Sequence, residues 1–574
     1  MPVPYDPSPT LEHFELVLSL ARALASEKDR DRLLERIISE AKRICNAEGG
    51  TLYLRTEDDA LRFVIVVNDV LGIELKREEE LPPDFRAIPL YVDGVPNERN
   101  VATYVVHSAE SVAIDDVYNA EGFDFSGAKA MDASTGYRTR SCLAIPLIDS
   151  QGYVLGVIQL INAREPDGSE AIPFRESDRA VVEALAAQAG IALENQFLLD
   201  GQKALLESVI QMIATAIDSK SPYTGGHCER VPELVLELVE EVCKDNSPAF
   251  ADFHLDEEGW YELRIAAWLH DCGKVVTPIH IMDKATKLET IYDRIELVRT
   301  RLALKAREVE SEAYRLAALG EITLEEAERR ASEAEARLVD AYAFLKHANM
   351  GAEFLDEGAR MRILALAEER VSVFDEEMAL LTKDEVKNLT IERGTLTDEE
   401  RLIINGHMVD TIKMLESLPF PRSLRRVPEY AGGHHERMDG RGYPRGLFAG
   451  DMSIPARAMA IADVFEALTA QDRPYKKGKT LSETMRIMGA MKVNNHLDPD
   501  LLDLFVRSGV YRRYAERCLP PELIDEVDEE AILALKPKPF ELPPMEERAA
   551  RWKGFLDEYE ELLRNRKLPP PPAS

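Results

Sequence analysis

The chain runs to 574 residues, 45% of them hydrophobic, with a formal charge of −34 and a pI of about 4.9. So much net acid repels polyanions, which disfavours a role coating bulk nucleic acid or lying on an anionic membrane. No run reaches the roughly 18 uncharged apolar residues of a membrane span and no secretory signal opens the chain, so a cytoplasmic protein is expected. The length sets a prior of about four domains. Six cysteines without any C-x-x-C spacing read as reduced thiols rather than a disulfide frame.

Taken in chain order, Phe14, Val17, Leu18, Ala21 and Leu24 share a helical face over residues 11–24, and "DRLLERIISEAKRIC" predicts a second amphipathic helix. Strands are predicted in "GGTLYLR", "RFVIVVN" and "RSCLAIPLIDSQGYVLGVIQLIN", the last folded back at the turn "DSQG". A helix through "ESDRAVVEALAAQAGIALENQFLL" closes this unit. Helices around a mostly antiparallel sheet make an α+β domain.

These elements, the "LAIPL…GVIQLIN" hairpin and the "F-x-x-x-D" start of the closing helix resemble a GAF domain over residues 9–200. Members that bind cyclic nucleotides carry Asn-Lys followed by Phe-x-x-x-Asp-Glu. Asn162, Phe174 and Asp178 match, whereas Ala163 and Arg179 stand where the Lys and Glu would be. The matches read as fold determinants, and the resemblance names no GAF ligand. A structural or dimerising domain stands beside a ligand-sensing one.

The closing helix is predicted to run on through "GQKALLESVIQMIATAIDS", so that residues 195–215 form a connecting signalling helix, suited to pairing with its twin in a homodimer. A plain spacer helix is the other reading. Residues 289–396 are charge-rich and Ala-rich. Ile291, Ile295, Val298 and Leu302 recur at helical intervals, and Thr323 with Glu326 makes a capping-box pattern, so long antiparallel helices forming an insertion are expected. Near the end, Trp552, Phe555, Leu556, Tyr559, Leu562 and Leu563 form a stripe too apolar to leave in water. It is expected to dock on this chain or a second subunit, and the closing "PPPPAS" to be disordered.

The chemistry lies in separate stretches. "YTGGHCERV" offers His227. "LRIAAWLHDCGKV" puts His270 on the inward face of a helix with Asp271 beside it. "LTDEERLIINGHMVD" opens with a capping box at Thr397 and Glu400 and presents His407. "EYAGGHHERMDGRGYP" carries His434 and His435, and Asp463 lies in the apolar helix "ARAMAIADVFEALTA". One inward histidine is more often a hydrogen-bonded core residue. Five histidines and two aspartates near apolar faces predict a multinuclear metal site, and imidazole with carboxylate and no thiolate suits Fe, Mn or Zn.

"HD-x-G-K", "HH-E-x-x-D-G-x-G-Y-P" and "D-R-P-Y-K" at Asp472 to Lys476 resemble the HD-GYP family of HD-superfamily phosphohydrolases. The resemblance spans residues 203–515, an all-α HD-type domain interrupted by the helical insertion 289–396 and followed by an extension, 516–574. It implies a phosphodiesterase that hydrolyses cyclic di-GMP to pGpG, with GMP as the further product, by a metal-activated hydroxide under control of the GAF domain. The implied ligands of two divalent ions, Fe or Mn, are His227, His270, Asp271, His407, His434, His435 and Asp463, with Asp271 bridging and Lys274 meeting charge on the scissile phosphate. Arg473 and Lys476, with Lys477 a weaker candidate, would hold phosphate or guanine groups, and Gly442 and Tyr443 belong to the turn beside the substrate. Some members bind a third ion through a Glu four residues before the first histidine. Tyr223 stands there, which implies two ions, and His280 matches nothing in the pattern. Two other readings stand beside this one: a catalytically weak cyclic-dinucleotide-binding scaffold that signals by contact with a protein partner, and a hydrolase of another cyclic dinucleotide.

Overall fold

The computed structural model describes residues 29–76, 87–165, 170–220, 226–351, 354–374, 376–470 and 478–565, together with positions 19, 22, 23, 27 and 85. The helix predicted over residues 11–24 falls almost wholly outside these, as do Tyr223, Arg473, Lys476, Lys477 and "PPPPAS". The chain divides into two compact units, residues 1–206 and 207–574.

The first unit begins with α1 (Arg30–Cys45), capped by the Asp29 carboxylate, which accepts from the amides of Asp31 and Arg32. The strands are β1 (Ala47–Arg55), β2 (Ala60–Asn68), β3 (Ile73–Leu75), β4 (Ile88–Pro89), β5 (Tyr91–Val92) and β6 (Val95–Pro96). Next come α2 (Val101–Ser108), β7 (Val112–Ile114), α3 (Ser126–Thr135), β8 (Cys142–Ile148), β9 (Val154–Arg164) and β10 (Ala171–Ile172). The sheet order is β3-β2-β1-β9-β8-β7 and every neighbouring pair is antiparallel. The β8–β9 hairpin turns on Asp149, whose carboxylate accepts from the amides of Gln151 and Tyr153.

Alternation along the strands gives the sheet two apolar faces. Leu52, Leu54, Ile145, Ile158 and Leu160 pack with Leu33 and Ile37 of α1 and Val182, Leu185 and Ala189 of the closing helix. Tyr53, Ala144 and Val157, on the opposite face, pack with Val101, Ala102 and Val105 of α2. Asn162 sits in the left-handed region at φ 55°. Its amide donates to Glu48, to the Tyr137 hydroxyl and to the Arg138 carbonyl, while its carbonyl accepts from the amide of Arg140 at 2.6 Å. This side chain ties β9 to the loop before β8.

The closing helix α4 (Glu176–Lys220) is 45 residues long. Ile191, Leu198, Leu205 and Met212 recur along it every seven residues and are all exposed. Ile210, Ala214 and Ile217 of its last turns are buried in the helical core of the second unit.

That core also draws on α5 (His227–Lys244) and α6 (Glu257–Leu269). After α7 (Ile279–Met282), residues 288–389 build a small core of their own. There α8 (Ile295–Ala318) and α9 (Leu324–Asn349) lie antiparallel, joining Ile295, Val298 and Leu302 to Leu338, Ala341 and Leu345. Thr323 caps α9 as its pattern predicts, by accepting from the Glu326 amide. Ile291 departs from its expected place: it precedes the helix and is 95% exposed. The segment also holds α10 (Glu357–Glu368), an unforeseen antiparallel hairpin of β11 (Arg370–Val373) and β12 (Glu376–Ala379), and α11 (Lys383–Leu389).

The remaining helices are α12 (Asp398–Asn405), α13 (His407–Glu416), α14 (Val427–Gly432), α15 (Ile454–Thr469), α16 (Leu481–Val493), α17 (Pro499–Arg507), α18 (Val510–Cys518), α19 (Glu529–Ala534) and α20 (Met545–Asn565). The capping box at Thr397 and Glu400 starts α12. Gly406 stands between α12 and α13, and a β-carbon there would lie 2.0 Å from the Tyr559 ring of α20. Tyr559 also donates to Asp410, and Lys413 pairs with Glu560 at 2.9 Å, so the apolar stripe of α20 docks on this chain. Among the described residues no helix is long and apolar enough to cross a membrane.

Candidate metal centre

His270 caps the C-terminal end of α6, and Asp271 follows at the head of a tight turn (Cys272–Val275). His227 opens α5, His407 opens α13, His434 and His435 follow α14, and Asp463 lies within α15. Each segment brings its polar group to the end of a buried helix or onto its apolar side. The turn after His270 comes close to α13: a β-carbon on Gly273 would lie 2.0 Å from the His407 carbonyl oxygen, and the Gly273 amide donates to Thr411 Oγ1 at 2.9 Å. Only glycine permits that approach.

All seven donors predicted from the sequence come together, in two sets that share Asp271. One set is His227, His270, Asp271 and Asp463; the other is Asp271, His407, His434 and His435. Within each set the donor atoms lie within 4.8 Å of one another. Asp271 Oδ2 is 3.3 Å from His227 Nε2 and 3.2 Å from His270 Nε2. Asp271 Oδ1 is 3.3 Å from His407 Nε2 and 3.8 Å from His434 Nε2. Asp463 Oδ1 stands 3.3 Å from His227 Nε2.

The tautomers follow from the outer hydrogen bonds. Nδ1 of His270 donates to the Ala267 carbonyl, that of His407 to Ile404 and that of His434 to Ala431, at 2.6–2.7 Å. A carbonyl only accepts, so each Nδ1 carries the proton and each neutral Nε2 turns a bare lone pair inward. Those lone pairs face carboxylate oxygens with no hydrogen between them. Nε2 of His227, His270, His407 and His434 and Oδ1 of Asp271 are all buried without a hydrogen-bond partner. A cation removes that conflict, and donors that share an ion at about 2.1 Å stand roughly 3 Å apart. The residues present therefore fit divalent metal. The set is imidazole and carboxylate; burial pushes the neighbouring Cys272 thiol up to about 12 and keeps it protonated.

The charges are divided unevenly. Burial, reinforced by His270, lowers His434 to about 4, and burial with His434 and His407 holds His435 well below its ordinary value. Burial acts in the same direction on His227, but the surrounding carboxylates of Asp271, Asp463 and Glu466 outweigh it and raise this group well above its ordinary value. Without metal, these carboxylates favour the protonated ring of His227. Metal requires the neutral ring. Loading Mn²⁺ at pH 7 is expected to release about one proton, read by calorimetry in buffers of different ionisation enthalpy. Affinity should rise with pH until His227 titrates. In the metal-free chain the sign reverses: the stabilisation that His227 gains from its carboxylates is complete below about 6.5 and fades as pH rises through its raised value.

Sequence reasoning misses the outer partners. Glu466, three residues beyond Asp463 on α15, accepts from His227 Nδ1 at 2.5 Å and pairs with Arg230 at 2.6 Å. Its signal is a second acid at i+3 on an apolar helix. Glu436 is buried and accepts from the amides of Arg445 and Leu447, which holds the turn that follows. Within that turn a β-carbon on Gly442 would lie 2.5 Å from Glu436 Cα. The Tyr443 ring is stacked between His435, at 4.9 Å, and Phe555 of α20, at 6.3 Å. The Lys274 ammonium contacts Asp271 Oδ2. His280 is exposed and joins neither donor set.

Residues 29–193 match the GAF domain family and residues 381–501 the HD domain family. The chain is a GAF and HD domain protein. The HD match contains His407, His434, His435 and Asp463, while His227, His270 and Asp271 precede it. A 3'3'-cGAMP-specific phosphodiesterase of Vibrio cholerae is 44% identical over 115 residues, 20% of this chain and 26% of that one. A cyclic di-GMP phosphodiesterase of Pseudomonas aeruginosa is 40% identical over 119 residues, 21% of this chain and 28% of that one. A cyclic di-GMP phosphodiesterase response regulator of Xanthomonas campestris is 30% identical over 215 residues, 36% of this chain and 54% of that one. The match to the first two covers about a quarter of each relative's length.

Proposed function

We propose that this GAF and HD domain protein is a metal-dependent phosphodiesterase that opens cyclic di-GMP to linear pGpG. The observation that carries the reading is the pair of donor sets meeting on one carboxylate, Asp271. When bound there, two divalent ions, Fe or Mn, supply Lewis acidity toward a phosphoryl oxygen and lower the pKa of water. The protein's share is placement. Asp271 holds the two donor sets together through its two oxygens, and four of the five imidazoles, those of His227, His270, His407 and His434, are oriented by carbonyl or carboxylate partners. Lys274, whose ammonium lies against Asp271, offers positive charge to the phosphate as negative charge gathers on it. No protein nucleophile is required.

One observation favours a second substrate: the V. cholerae relative is named for 3'3'-cGAMP, at 44% identity against 40% for the cyclic di-GMP enzyme. The two share a ring of two phosphodiester links and differ in one base. Purified protein reconstituted with Mn²⁺ or Fe²⁺ and offered cyclic di-GMP, 3'3'-cGAMP and pGpG separates the readings by chromatography of the products. Linear pGpG from cyclic di-GMP is expected. Opening of 3'3'-cGAMP alone would move the assignment to that substrate, and intact substrates with both metals would overturn it.

The seven-residue repeat of exposed Ile191, Leu198, Leu205 and Met212 supports a homodimer through α4, since a heptad seam is complementary to its own copy. Light scattering at monomer mass would refute that arrangement. The GAF domain is assigned to regulation.

A further inference from the structure

We infer that the last turn of α4 positions the metal centre directly, with Asp218 and Lys220 as its two positioning residues. The inference rests on reading the His and Asp cluster as a metal centre.

Asp218 accepts from the Cys228 amide at 3.1 Å. That amide belongs to the residue after His227, in the first turn of α5, where backbone N–H groups lack helical partners. Asp218 thereby fixes the start of the helix that presents His227. Two residues on, the Lys220 ammonium donates to three carbonyls of one turn: Lys274 at 2.9 Å, Val275 at 2.5 Å and Thr277 at 2.5 Å. These carbonyls end the short helical turn that begins just after Asp271. The turn is thus held from two sides, by Thr411 at Gly273 and by Lys220 at its far end.

The two grips act on one donor set. His227 and Asp271 both belong to the set completed by His270 and Asp463. Ile210, Ala214 and Ile217, spaced by four and three residues, anchor this part of α4 in the core. A rotation or axial slide of the helix therefore reaches His227 and Asp271 through side chains that already touch their segments. An ammonium satisfied by one carbonyl would be an ordinary cap; three carbonyls from a single turn, joined to a carboxylate on the neighbouring segment, make a brace.

The test is Mn²⁺ titration of the full chain, followed by calorimetry and by the electron paramagnetic resonance of free Mn²⁺. The variants are Lys220→Met, which keeps the aliphatic stem, Asp218→Asn and Lys220→Arg, with exposed Lys203→Ala on the same helix as control. Wild type is expected to bind two ions. Lys220→Met and Asp218→Asn should weaken one of the two steps by about 10–100-fold, the range for removing a partner that orients a ligand. Lys220→Arg should recover most of that loss, and Lys203→Ala should behave as wild type. Amide hydrogen exchange over residues 274–277 should accelerate in Lys220→Met with the melting temperature held. Unchanged binding steps and unchanged exchange in both Lys220→Met and Asp218→Asn would overturn the inference. Failure of the wild type to bind Mn²⁺ would overturn the metal reading itself. The two failures are distinct.

Discussion

Asp271→Ala is expected to abolish metal loading and turnover together. Removing this side chain takes one donor from each set at once, since its two oxygens face different histidines. A single preorganised electrostatic group is worth about 10²–10³ in rate. A carboxylate common to both sets should cost more than about 10³-fold in kcat. Metal content by mass spectrometry should fall below one ion per chain. Lys274 loses its partner in the same step, so restoring Mn²⁺ at high concentration should not restore the rate. Full activity in this variant would end the assignment of the centre.

Gly273→Ala is the second large effect, and it acts by geometry alone. A β-carbon there lies 2.0 Å from the His407 carbonyl oxygen and 2.5 Å from the Thr411 amide nitrogen. Both are backbone atoms of α13, so no side chain can turn aside. Overpacking a core costs about 1–3 kcal/mol where side chains can yield. Against backbone the cost should reach the top of that range or exceed it, lowering the melting temperature by roughly 4 °C or more. Because α13 must retreat, His407 is drawn away from Asp271, and metal content should fall even at temperatures where the variant is folded. A variant with wild-type melting and wild-type metal would mean that the turn and α13 lie farther apart than described.

Much of this was legible in the sequence, and what was not has physical reasons. The alternation in "LAIPLIDSQGYVLGVIQLIN" specifies a hairpin because each strand meets an apolar core on both faces. The donor histidines and aspartates were legible because imidazole and carboxylate are costly beside apolar helical faces unless something shares them. Glu466 was not, since its partners His227 and Arg230 lie 239 and 236 residues away along the chain. The hairpin of β11 and β12 escaped notice because its strands are four residues long and only Val371 among them is buried. Ile291 fits a helical interval, yet the helix starts four residues later, so periodicity without a start signal overran the true end. The stripe on α20 predicted docking but not where. That required Gly406 to leave room for Tyr559, and Tyr443 to offer a ring to Phe555.

The stacking of Phe555 on Tyr443 has a consequence for synthesis. Translation delivers the seventh donor at residue 463, but the ring that backs the Tyr443 loop arrives with the helix at residues 545–565. A nascent chain thus passes through a stage in which every donor has been made while the loop carrying His434 and His435 still lacks its outer support. In that order of synthesis the two donor sets can assemble before Phe555 backs the loop beside them.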